Sequence, residues 1–178
     1  MRHKASMKHQ LKEFISSEDI QNAIEKLAAQ INKDYHGKEL ILVGVLKGSF
    51  IFLADLVRKL DVTLEVDFVR LSSYQNQKES TGTVVITKDI ETSITGKHVL
   101  IVEEILDSGR TLDFLTKRFR ANTPRSVKIC VLLDKKDQRV VPVEADYVGL
   151  KIENKFVVGY GLDYQEKYRN LSSIFYVG

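Results

Sequence analysis

Apolar residues follow two rhythms along this chain, and their alternation predicts its architecture. Behind Ser16 and Asp19, a pair resembling a capping box, Ile20, Ile24, Leu27 and Ile31 recur at helical spacing, which predicts an amphipathic helix to about Tyr35. ELILVGVL (39–46) is instead continuously apolar, as in a strand buried on both faces. After Lys47, Gly48 and Ser49 a second helix is expected through Leu60. Segments 64–69 and 83–88 read as strands, and the polar, aperiodic stretch 70–82 between them reads as a long loop. A strand over 98–103 follows, then a helix that sets Leu112, Leu115 and Phe119 on one face and stops near Pro124. SVKICVLLD (126–134) is a further strand, 135–139 a charged loop, and YVGLKI and FVVGYG short strands near the C-terminus. Strands alternating with helices predict an α/β fold, a doubly wound and mainly parallel sheet with right-handed crossovers.

Composition narrows the class without naming a function. With 178 residues, 43% hydrophobic and 29% charged, the chain suits one globular domain with a full core. No apolar run approaches the ~20 residues that cross a bilayer, so no membrane association is expected. The basic start MRHKASMKHQ has no hydrophobic segment behind it and does not read as a secretory signal. Residues 1–13 are expected to be a disordered arm, or residues ahead of a start at Met7, and 14–178 a single domain. The lone Cys130 lies in an apolar run and reads as a core thiol, which fits a reducing cytoplasm. A net charge of +3, partly from the arm, is too slight to argue for nucleic acid; an anionic small molecule accounts for it as well. None of the four histidines has metal-ligand spacing.

The chemistry concentrates in IVEEILDSGRTL (101–112). An apolar strand ends in Glu103 and Glu104; Asp107, Ser108, Gly109 and Thr111 follow, and then a helix begins. Open α/β sheets bind ligands at the carboxyl ends of their strands, and a helix N-terminus with free N–H groups holds phosphate. Three carboxylates this close repel one another unless a cation or donors compensate them. Neither G-x-x-x-x-G-K-[ST] nor G-x-G-x-x-G is present at a strand end, which disfavours nucleoside triphosphatases and dinucleotide enzymes.

This segment resembles the phosphoribosyl-diphosphate signature of the type I phosphoribosyltransferases. VLKGSF (45–50), DFVRLSSY (67–74) with STG (80–82), and KFVVGYGLDY…YRNL (155–171) narrow the resemblance to the 6-oxopurine branch. It runs from about Phe14 to the C-terminus. The resemblance implies a small hood and a mobile flap on the sheet, and a homo-oligomer, dimer or tetramer. It implies phosphoribosyl transfer from 5-phosphoribosyl 1-diphosphate to hypoxanthine and guanine, with magnesium (Mg2+) as cofactor. A xanthine- or guanine-preferring enzyme is the nearest alternative, and an RNA-binding regulator on the same fold a more distant one.

Carried over by position, the family implies that the turn 107–111, with Asp107, Ser108, Gly109, Arg110 and Thr111, holds the 5-phosphate. Glu103 and Glu104 would meet the ribose hydroxyls and help place magnesium; the family usually has Asp where Glu104 stands. Asp107 would act as general base toward the purine. Lys47, Gly48 and Arg169 would bind diphosphate, often with a non-proline cis peptide beside Lys47 and Gly48, while Ser73 and Tyr74 would belong to the flap. Phe156 would stack on the base, Val157 would offer backbone groups to the ring edge and Lys135 would donate to O6. Asp163 would be the direct magnesium ligand.

Overall fold

The computed structural model describes residues 10–73 and 84–177. Strand β1 (Leu11–Ile15) leads into helix α1 (Ser17–Asp34), followed by β2 (Leu40–Leu46), α2 (Phe50–Val57), β3 (Leu64–Ser73) and β4 (Val84–Lys88). Then come β5 (His98–Leu106), α3 (Arg110–Arg120), β6 (Ser126–Asp134), a 3-10 turn (Lys136–Gln138), β7 (Tyr147–Lys151), β8 (Val157–Val158) and β9 (Ile174–Val177). The main sheet has the order β4-β3-β2-β5-β6-β7, parallel throughout except for the antiparallel edge strand β4. This is the doubly wound, mainly parallel α/β architecture that the alternation of strands and helices predicts.

The apolar strands are buried because both faces of the sheet are covered. Leu40, Leu42, Leu100 and Val102 pack on the side of α1 and α2, against Ile24, Leu27, Leu53 and Leu56. Ile41, Val43, Val99 and Ile101 point the other way, toward Leu112, Leu115 and Phe119 of α3. The helix start foreseen at Ser16 forms as expected: its hydroxyl oxygen accepts the Asp19 N–H at 3.1 Å and donates to the Asp19 carboxylate at 2.7 Å. A cap of this kind stabilises a helix by about 1 kcal/mol.

Chain direction sets where a ligand can sit. From β2 the chain passes through α2 to β3 on one side; from β5 it passes through α3 to β6 on the other. Neighbouring β2 and β5 therefore send their following loops apart and leave a crevice at their carboxyl ends.

Several sequence expectations need correction. Residues 11–13, assigned to a disordered arm, are strand: β1 pairs antiparallel with β9, Leu11 opposite Val177, in a three-stranded hood β1-β9-β8. Residues 70–73, assigned to the long loop, extend β3 and pair with β4, Ser73 opposite Val84. Of the two flap residues, Ser73 thus closes a strand, and Tyr74 lies outside the described residues. Helix α2 stops at Val57 rather than Leu60. The strand expected over FVVGYG is confined to Val157 and Val158, because Gly159, Tyr160 and Gly161 all take positive φ (99°, 50° and 97°) and leave the extended conformation. Strand β5 does not end at its acids but continues to Leu106, with Glu103 opposite Val131.

Candidate active site

Because Glu103 and Glu104 lie inside a strand, they project to opposite faces of the sheet. Glu103 lines a small pocket of about 150 Å³ together with Asp107, Ser108, Gly109 and Thr111. Glu104 faces the loop after β2: a Cβ built on Gly48 would stand 1.8 Å from its Oε1. On the opposite flank, a Cβ on Gly161 would stand 2.0 Å from the Gly48 carbonyl oxygen. The loop carrying Lys47 and Gly48 is thus clasped between β5 and the C-terminal segment: Gly161 meets the Gly48 backbone, whereas Gly48 meets the side-chain carboxylate of Glu104. The Leu46–Lys47 peptide is cis.

Burial raises the pKa of both glutamates. Glu103 is held well above the ordinary carboxylate range by burial and by the charge of Glu104. Glu104 is pushed up to about 7, mainly by burial and partly by Asp163, while a backbone hydrogen bond and Arg169 oppose the shift.

The turn after β5 is shaped for an anion. Gly109 stands at φ +83° as the N-cap of α3 and has no side chain to cap the helix. The Arg110 N–H lies 3.5 Å from Ser108 Oγ. Val140 and Val141 donate their N–H groups to the Ser108 carbonyl at 2.9 and 3.1 Å, which fixes the turn against the segment after β6.

Asp107 is half-exposed, and Lys135 at the end of β6 approaches it, Nζ 3.7 Å from Oδ2. Lys135 is only 7% exposed, an unusual setting for a lysine, and its N–H donates to the Leu106 carbonyl at 3.0 Å. Arg139 braces the same corner: it donates from Nε to the Asp107 carbonyl at 3.0 Å, and pairs with the buried Asp134 and the Val143 carbonyl.

The C-terminal segment supplies the other wall. Phe156 is 54% exposed, its ring edge-to-face with Tyr164 at 5.6 Å, while Val157 is buried. Arg169 reaches back to the Gly161 carbonyl (2.7 Å) and Asp163 Oδ1 (2.9 Å). Lys47 bonds Glu166 at 2.7 Å.

The structure brings Glu103 together with 107–111, Asp107 with Lys135, Gly48 with Glu104, and Asp163 with Arg169. It does not gather Glu103, Glu104 and Asp163 around one point. Among the described residues no three acidic, histidine or cysteine side chains converge on a metal position. Oxygen donors nevertheless suit magnesium. Burial is the main cause of the raised pKa values of the glutamate pair, and it disfavours their charged forms unless a cation or donors compensate them. Glu166, Arg139 and Gly161 escaped the sequence reading. Gly161 had a signal in the Gly-Tyr-Gly stretch, whereas a charged residue in a loop carries no pattern to find.

The chain matches the model of the phosphoribosyl transferase domain over residues 13–165. It is 50% identical, over 169 residues, to the hypoxanthine-guanine phosphoribosyltransferase of Staphylococcus aureus (strain Mu50), covering 94% of each chain. It is likewise 50% identical over 163 residues to the Streptococcus pneumoniae (strain R6) protein of that name, covering 92% of this chain and 91% of that one. A crystal structure of a Bacillus anthracis hypoxanthine-guanine phosphoribosyltransferase superposes with a TM-score of 0.90 at 48% identity, over 95% of this chain and 100% of that one.

Proposed function

The chain belongs to the phosphoribosyltransferase family, and on that premise we propose how its residues divide the work. It is a purine-salvage enzyme: it transfers the phosphoribosyl group from 5-phosphoribosyl 1-diphosphate to hypoxanthine or guanine, giving the nucleotide and diphosphate. The observation that carries the residue assignment is the pocket at the start of α3, where Glu103 faces the 107–111 turn and Asp107 stands half-exposed beside the buried Lys135.

The 5-phosphate sits on the N–H groups of the turn and first turn of α3, with the hydroxyls of Ser108 and Thr111 adding donors; the helix dipole favours the charge. Glu103 and Glu104 accept hydrogen bonds from the ribose hydroxyls. Asp107 takes the proton from the purine N7 as the base bonds to C1 of the ribose. Lys135 donates to O6, which leaves adenine without a partner for a buried cation. Phe156 stacks on the ring from its exposed position, and Val157 presents its backbone to the ring edge. Lys47, the Gly48 backbone and Arg169 receive the diphosphate. Asp163 and Glu104 would hold magnesium through oxygen, and the ion when bound would stabilise the charge that builds on the diphosphate, while Glu103, on the other face of β5, stands with the sugar-phosphate pocket. A homo-oligomeric state and a cytoplasmic setting belong to the same proposal; no helix among the described residues is long and apolar enough to cross a membrane.

The test is steady-state turnover with hypoxanthine, guanine, xanthine and adenine, with and without magnesium. Magnesium-dependent turnover of the first two supports the assignment; turnover of adenine, or none with any base, overturns it.

A further inference from the structure

The two cations assigned to diphosphate already share an anion. Glu166 Oε2 accepts from Lys47 Nζ at 2.7 Å, and Glu166 Oε1 lies 3.5 Å from Arg169 Nη2. Lys47 follows β2 and Glu166 lies in the loop before β9, so this contact spans 119 residues of sequence. The backbone is shaped to make it. Gln165, Glu166 and Tyr168 stand at φ 51°, 63° and 76°, values that side-chain-bearing residues seldom adopt and that collect where structure serves a site. Asp163 Oδ2 accepts the Glu166 N–H at 2.9 Å and fixes the turn, while Asp163 Oδ1 bonds Arg169. An ordinary surface ion pair needs no such backbone.

We propose that Glu166 is a built-in competitor for diphosphate, a carboxylate that closes on Lys47 and Arg169 in the free enzyme and that the diphosphate group must displace. The inference rests on the assignment of Lys47 and Arg169 to the diphosphate and adds a residue to that subsite. Two consequences attend it. Lone anions of low charge meet an already paired Lys47, so the subsite favours a ligand with several negative oxygens. After transfer the returning carboxylate helps the product diphosphate leave.

The experiment measures binding of inorganic diphosphate, with magnesium present, to the wild type, Glu166→Gln and Lys47→Met by calorimetry, and product inhibition by diphosphate in turnover. The contact is exposed, 45% for Lys47 and 64% for Glu166, so its worth is modest. Glu166→Gln is expected to tighten diphosphate about threefold, in keeping with an exposed ion pair, and to strengthen product inhibition equally, with the KM for hypoxanthine unchanged. Unchanged or weaker diphosphate binding in Glu166→Gln overturns the competitor role. Lys47→Met separates the two layers. If it fails to weaken diphosphate, the assignment of Lys47 to that subsite falls; if it weakens diphosphate while Glu166→Gln does not tighten it, only the competitor role falls.

Discussion

The carboxylate of Glu104 fills the space that any side chain at Gly48 would need, with a hypothetical Cβ only 1.8 Å from Oε1. A residue of β5 thereby dictates how closely the loop after β2 approaches it. Gly48→Ala is expected to push the loop away and lower kcat/KM for the diphosphate substrate by about 100-fold, the scale of an ångström-sized misplacement. Circular dichroism should show the fold retained. Full activity in this variant would mean that the glutamate swings aside.

Asp107→Asn keeps the shape of the turn and removes the base. Turnover should fall by about 100-fold or more, while the KM for the diphosphate substrate changes little. Equal losses in both would show that Asp107 acts in binding rather than in proton transfer.

Lys135 is buried with Asp107 as its charged neighbour. Lys135→Met keeps much of the volume and removes the donor. The kcat/KM for hypoxanthine and guanine should drop by about 1,000-fold or more, since a site that hydrogen-bonds its substrate discriminates strongly. A panel of bases, adenine included, measures both the loss and the lost preference.

Phe156 is the reverse case, an aromatic ring left 54% exposed. Phe156→Ala should raise the KM for the purine by about tenfold or more, the worth of one stacked base. It should leave the melting temperature nearly unchanged, because little buried surface is lost. A large fall in melting temperature with unaltered KM would instead make the ring structural.

The raised pKa values of Glu103 and Glu104 fix the sign of one pH effect. Burial holds the pair protonated in the folded protein where the unfolded chain has released its protons, so between about 4.5 and 7 the native state binds more protons. Stability of the metal-free protein should therefore fall from these groups as pH rises through that window, and flatten for Glu104 above about 7. Melting curves at pH 5 and pH 8 check this, and Glu104→Gln should reduce the difference.

What the sequence disclosed depended on whether a position obeyed a periodic rule. Strands β2, β5 and β6 were legible as apolar runs because both faces of the sheet are covered, and helices α1 and α3 because one buried face imposes a repeat of three to four residues. The helix start at Ser16 was legible because capping has its own chemistry. Strand β1 was not: Leu11–Ile15 mixes Lys12 and Glu13 with apolar residues, and only its partner β9, far along the chain, makes it a strand. The acids of β5 were found but placed at a strand end, since charge inside a strand is the pattern that local rules reject. Lys135 reads from sequence as a solvated loop residue, and its burial follows from the packing of β6 against its neighbours. Glu166 could not be read at all, because what matters is a meeting with Lys47 that only the tertiary fold arranges.

The pairing of β1 with β9 carries a consequence beyond architecture. Strand β9 also borders β8, and the chain between those two strands holds Gly161, Asp163, Glu166 and Arg169. Strand β1, through its pairing with β9, thus props up one whole jaw of the cleft. Trimming it should spare the grip on sugar phosphate and loosen the grip on base and leaving group, so injury at one extremity would surface as a fault in recognition at the other.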